Sequence, residues 1–259
     1  MHSFEQGFLS EPFDDIRNQV RRQYSDWRNL LLKVNSQCVE AQHSITIYPH
    51  DTRAILAAVL FARTLASTQA AVILIEHGLL SQARTILRAS IETLFALGAI
   101  YRKPELTDEL VQSHEADKRT VADRMLRWKS PELRAAVEKQ ITESELRAFL
   151  TSKARSINHF ELARAAEMEE WYLTIYSLLS FPAHGAVSDL ANHVVSGDEG
   201  LIESLKNEPE LTGQASTWGY AIEIQLKAVQ ALAGIFANVR IDIEADRNAL
   251  RVLSQKSEG

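Results

Sequence analysis

One cysteine, six prolines and ten glycines in 259 residues exclude several kinds of protein. With Cys38 alone, the chain can form neither an internal disulfide nor a cysteine-based zinc motif. A reducing compartment, the cytoplasm, is therefore expected. Scarce proline and glycine beside abundant Ala, Leu, Glu and Arg favour helix over sheet. There is no glycine-rich phosphate loop, and no G-x-S-x-G elbow to support a nucleophile triad. The net charge of −6 and pI near 5.8 lack the basic balance of a general nucleic-acid binder, while leaving room for a small basic pocket. The opening MHSFEQGFLSEPFDD carries acids and no apolar signal core, so export is not expected. Long apolar runs are missing as well. Arg63 interrupts the first after nine residues and Glu76 closes the next after twelve, short of the ~18–20 that a bilayer span requires.

What is present is helical periodicity, densest from Ala54 to Ile100. Only Arg63, Glu76, Arg84, Arg88 and Glu92 are charged there, so both halves are expected to be enclosed by other helices. Gly78 divides the stretch and ends the first helix at His77, giving a central hairpin of two long rods. Before it, Pro12 and the acids Asp14 and Asp15 start a helix whose apolar positions Ile16, Val20, Tyr24, Trp27, Leu31 and Val34 carry it to about Gln42. Ile45–Pro49 predicts an extended connector, and Asp51 or Thr52 a helix cap.

After Arg102-Lys103-Pro104, a more polar helix is expected from about Glu105 to Trp128. Residues 129–157 are charge-rich and apolar-poor. They predict a peripheral insertion or lid, with a short helix from Ser130-Pro131-Glu132 and a capping box at Thr142–Glu145. A third core helix is expected from about Glu161 to Leu179, broken by Phe181-Pro182-Ala183-His184-Gly185. A small turn or hairpin follows at 193–200, and a last helix runs from Thr212 to Val239, extending with a kink to Leu253 before a frayed tail. The expectation is one all-α domain, with residues 12–128 and 158–253 forming the bundle.

Polar side chains inside apolar helices mark the candidate chemistry. Arg88 and Glu92 are spaced i, i+4 among Leu87, Ile91, Leu94 and Phe95, and burying such a pair is costly unless it is fully hydrogen-bonded. Tyr176, Ser180 and His184 cluster at the end of the third core helix, where an imidazole is suited to proton transfer. Lys118 is a candidate for reaching inward from a solvated face with His114, Glu115 and Asp117. The two Glu-x-x-His motifs of the di-iron bundles are not both present, and no metal or cofactor is expected.

The segment E-H-G-L-L-S-Q-A-R-T-I-L-R-A-S-I-E, Glu76 to Glu92, resembles a family of uncharacterised bacterial proteins. Their shared pattern places a glycine between two helices, then an alanine, then L-L-R-S-x-x-E. A later Y-x-x-L-S-x-x-x-H element of that pattern is similar to Tyr176, Leu179, Ser180 and His184. The likeness covers roughly residues 50 to 195 and singles out positions without supplying a reaction. In general form the family is similar to the HEPN helical bundles of bacterial toxin and phage-defence systems, whose active members cut RNA without metal using R-x(4–6)-H. Here Arg155 and His159 have one residue too few between them, so an equivalent site requires Arg88 and His184 to meet from different helices.

The resemblance implies a HEPN-like bundle; the partners expected are RNA or a nucleotide-like ligand, an operon-encoded protein, or a second copy of the chain. On that reading Arg88 holds a phosphate, His184 shuttles a proton, Glu92 orients Arg88, and Tyr176, Ser180 and Lys118 bind. The alternative is a non-catalytic interaction module in which the same cluster clamps the bundle.

Overall fold

The computed structural model describes residue 8 and residues 13–127, 130–132, 135, 142–151, 153–183, 194–196, 202–205 and 208–257. The first two helices are α1 (Phe13–Gln23) and α2 (Ser25–Ser44). The single helix expected here is interrupted at Tyr24 (φ −111°, ψ 32°). The Tyr24 N–H still donates to the Val20 carbonyl and the Arg28 N–H to the Tyr24 carbonyl, each at 2.9 Å, so the two segments run on in nearly one direction. Residues 45–48 form the expected non-helical connector, which Ile45 enters in an extended conformation (φ −67°, ψ 142°). The Asp51 side chain then caps α3 (Thr52–Glu76) by accepting from the Ala54 N–H at 2.9 Å.

The hairpin turn follows from backbone chemistry. Past the end of α3 the Gly78 N–H donates to the Ile75 carbonyl and the Leu79 N–H to the Leu74 carbonyl, the paired bonds of a Schellman turn. That turn needs φ near +70° at Gly78, and a Cβ there would stand 2.7 Å from the Pro209 Cβ. The second rod, α4 (Leu80–Arg102), packs back against α3. The polar helix α5 (Leu106–Leu126) follows, with α6 (Glu143–Phe149) against it behind a complete Thr142–Glu145 capping box. The expected short helix from Ser130 lies mostly outside the described residues.

The third core helix is not continuous. A second capping box, Asn158 with Glu161, starts α7 (His159–Ala165), and Glu167 then adopts φ +59°, which ends it. Helix resumes as α8 (Glu169–Trp171), a π-helical turn (Tyr172–Tyr176) and α9 (Ser177–Ala183). A left-handed residue inside an apolar-periodic stretch leaves no signal when the residue is Glu, which is why periodicity alone ran through it. Val194–Ser196 (β1) pairs antiparallel with Ile202–Leu205 (β2), the small hairpin expected in this region.

The last helix is also divided. Ala215–Ile235 (α10) ends where Phe236 turns extended, and Glu244–Ser257 (α11) starts anew. The β-branched run Val239-Arg240-Ile241-Asp242-Ile243 lies between them, where a kink was expected. α11 continues through Ser257, beyond the point where fraying was expected.

The protein is all-α, with that two-stranded ribbon as the sheet among the described residues. The α3–α4 hairpin is its axis: α10 packs on both rods, α2 closes against α10 and α3, and α7 and α9 pack on α4. Phe61, Leu87, Ile91, Leu94, Phe95, Trp218 and Ile222 are fully enclosed between them. Each such side chain contributes about 1.5–3 kcal/mol by leaving water. By length and composition α3 could cross a bilayer, the single Arg63 notwithstanding; in this fold its inner face is buried against α4 and α10.

Candidate functional site

The π-helical turn carries the site. Adding one residue to a helical turn shifts the side chains that follow, and such turns recur at functional positions. Here Ser177 Oγ donates to the Tyr172 carbonyl five residues back, at 2.9 Å, and the rings of Tyr172 and Tyr176 stack at 5.0 Å. Tyr176 is thereby directed at α4. Gly98 on α4 permits the close approach of the segment before it, since a Cβ there would lie 2.8 Å from the Ala166 Cβ.

Arg88 on α4 engages all three of its nitrogens here. Its Nε donates to Ser180 Oγ at 3.0 Å, Nη2 to the Tyr176 hydroxyl at 2.7 Å, and Nη1 pairs with Glu92 Oε1 at 2.9 Å. Its Cζ also stands 4.8 Å from the Tyr176 ring centroid. The Tyr176 hydroxyl donates in turn to Glu92 Oε1 at 2.9 Å, and Ser180 Oγ donates to the Tyr176 carbonyl at 2.7 Å. Arg88 and Glu92 are 19% and 23% exposed, so the pair is shielded without being sealed off. Burial, the hydrogen bond to Glu92 and the nearby carboxylate charge push the Tyr176 hydroxyl up to about 12. It is therefore a proton donor to Glu92 and not a base at neutral pH.

A histidine does join the cluster, and it is His159. Its Nε2 lies 3.5 Å from Glu92 Oε1, its ring centroid 6.3 Å from that of Tyr176, and its side chain is 46% exposed. The Asn158–Glu161 capping box fixes its backbone at the first turn of α7. His184 lies outside the described residues. Spacing to Arg155 drew attention to His159 and then set it aside; the N-H-F-E capping pattern, which puts it at a helix start beside the core, was the usable signal. Arg155 itself turns away to Glu109 and Glu161.

The structure thus brings Arg88, Glu92, Tyr176 and Ser180 together. Lys118 instead binds Glu115 at 2.8 Å and stands 5.5 Å from the Phe149 ring centroid. Among the described residues no group of three or more His, Cys, Asp or Glu is placed to hold a metal ion. Of the clefts lined by described residues, one of about 480 Å³ lies between Trp27, Ile175, Tyr220 and Leu250, and one of about 390 Å³ between α2 and residues 238–242. Neither contains the Arg88 cluster. Cys38 is buried with its Sγ 3.7 Å from the Gln225 carbonyl, and burial pushes the thiol up to about 12, which removes it as a nucleophile.

A second charged cluster lies at the hairpin turn, and the sequence reading missed it. Glu76, the last residue of α3, is almost fully buried and receives three guanidinium groups. Arg17 Nε and Arg21 Nη2 reach its Oε2 at 3.1 and 2.7 Å, and Arg28 Nε reaches Oε1 at 2.7 Å. Burial raises the carboxyl pKa, but the hydrogen bonds from Arg21, Arg28 and Arg17 and the charge of Arg21 reverse this and hold it down at about 2. The spacing 17, 21, 28 marks one stripe of a nearly continuous helix and was the available signal.

An all-helical fold with a tyrosine-buttressed Arg–Glu–His cluster defines a class without naming a reaction. The chain belongs to a family of unknown function, DUF5677, whose model matches residues 54–201. That span takes in the hairpin, the π-helical turn and the complete Arg88 cluster. No curated protein and no solved structure matches the chain.

Proposed function

We propose that the Arg88–Glu92–Tyr176–His159 cluster is the working site of a metal-independent, ribonuclease-like toxin of bacterial defence or stress response, HEPN-like in its chemistry. One observation carries this reading: a half-exposed imidazole sits 3.5 Å from a carboxylate already held by a guanidinium and a phenol. That is the arrangement of a base with its orienting acid. Nε2 faces Glu92, which leaves the other ring nitrogen for substrate.

On an RNA strand, that nitrogen takes the proton of a ribose 2′-hydroxyl, and the oxygen attacks the adjacent phosphorus. The 5′-oxygen leaves with a proton from water, giving a 2′,3′-cyclic phosphate and a 5′-hydroxyl end. Glu92 stabilises the imidazolium, which later returns its proton to solvent. The Arg88 N–H groups not engaged by Ser180, Tyr176 and Glu92 hold the non-bridging phosphate oxygens. Expression in a bacterial host tests this reading: the wild type should arrest growth, and His159→Ala should not while accumulating as soluble protein with an unchanged Tm. Equal toxicity of the two would refute it.

The second reading is an interaction module, binding an operon-encoded partner or a second copy, with the Arg88 cluster as a clamp between α4 and α9. The outer face of α3 favours it: Ile55, Val59 and Ile73 are exposed, and Arg63 is the one charged residue between Arg53 and Glu76. A mass measurement in solution tests it, with a dimer expected for the wild type and a monomer for Val59→Glu.

A further inference from the structure

We propose that Arg17, Arg21 and Arg28 form an anion cradle over Glu76 that takes the phosphate monoester of a small soluble ligand, separate from the Arg88 cluster. Among the described residues, three guanidinium groups meet one carboxylate here, an excess of two positive charges. One or two arginines would neutralise Glu76 and answer the negative end of the α3 dipole, where it sits. The third adds like-charge repulsion in a partly desolvated place, which a ligand anion relieves.

The layering is that of a receptor site. The Glu76 side chain is 6% exposed, while Arg17, Arg21 and Arg28 are 38%, 30% and 26% exposed, so the carboxylate is the floor and the guanidinium groups the rim. Each arginine engages Glu76 through one nitrogen, and the remaining N–H groups keep the planar fork that suits phosphate oxygens. Arg21 Nε is buried and has no hydrogen-bond partner, an unmet donor inside the cluster. Glu76, anchored by all three, stays ionised and holds the rim in place before any ligand arrives.

Thermal melting of the full chain tests the proposal, with inorganic phosphate as the probe against chloride at equal ionic strength. Phosphate should raise the Tm by roughly 3–5 °C at saturation. AMP should reproduce the rise and adenosine should not. Arg17→Gln removes the most exposed rim group and should abolish the phosphate-specific rise; Arg17→Lys, which keeps the charge without the fork, should reduce it by about half and serves if Arg17→Gln does not fold. Equal melting in phosphate and chloride would overturn the cradle, as would a full rise in both variants. Binding to phosphatidic acid vesicles without a response to AMP would place the phosphate on a lipid and overturn the soluble ligand.

Discussion

Replacing Glu76 by Gln keeps the shape of the cradle floor and removes its charge, leaving three arginines facing one another. The magnitude follows from the carboxyl group, which is held at about 2 against an ordinary 4.5. At 1.36 kcal/mol per unit that is roughly 3 kcal/mol, and solvent at the partly exposed guanidinium groups reduces it to about 2 kcal/mol. Repulsion among the unpaired arginines adds about 1 kcal/mol or more, for a total of about 3 kcal/mol. In a chain of this size each kcal/mol moves the melting point by about 2–4 °C, so Glu76→Gln should melt roughly 6–12 °C below the wild type at neutral pH.

The sign of the pH dependence is equally specific. A carboxyl whose folded pKa is depressed contributes stability that is complete above its unfolded value and is lost as pH falls toward the folded one. The wild-type advantage should therefore be constant above about pH 5 and shrink between about pH 4.5 and 2. Calorimetric melts of both proteins across that range provide the assay, because the difference cancels every other carboxyl group. A neutral-pH gap under about 2 °C, or a gap that persists undiminished at pH 2, would refute the reasoning.

Other outcomes follow from single contacts. Tyr176→Phe removes a donor from Glu92 and an acceptor from Arg88, and should cost about 1–3 kcal/mol in denaturant titration. In alkaline titration followed by ultraviolet absorbance, Tyr176 should ionise near pH 12, identified by the transition lost in that variant; a lost transition near pH 10 contradicts the site geometry. Because its folded pKa is raised, the native state should lose stability as pH climbs from about 10 toward 12. Cys38 should resist thiol reagents in the native protein near pH 8 and react on unfolding. Gly98→Ala drives a Cβ to 2.8 Å from that of Ala166 and should destabilise the fold by about 1–3 kcal/mol, measured by thermal melting.

The hairpin was legible because its signals are local and redundant: an apolar run on every face, a glycine at the left-handed turn, and an aspartate cap. The Arg88–Glu92 pairing and its approach to Tyr176 and Ser180 were legible because charge embedded in an apolar helix needs partners, and few polar residues were at hand. The break at Glu167 and the π-helical turn were not, since neither segment holds a glycine, asparagine or proline to announce it. A polar thread through the core was missed for a similar reason. Thr64 meets Thr93 at 2.9 Å across the hairpin, and Gln225 on α10 reaches Thr68 on α3 at 3.2 Å, pairings that no local spacing announces. The three arginines over Glu76 converge through the packing of α1 and α2 on α3, and the stripe they form in the sequence does not say which carboxylate they meet.

Cleavage of a fluorescent single-stranded RNA by purified protein in excess EDTA tests the Glu92–His159 dyad most directly. The wild type should cut and leave 2′,3′-cyclic phosphate ends. Arg88→Ala and His159→Ala should lose about 10²-fold or more of the rate, with His159→Ala retaining the wild-type melting point. Intact RNA with the wild-type protein, or undiminished cutting by His159→Ala, would contradict the account and leave the Arg88 cluster as a clamp between helices.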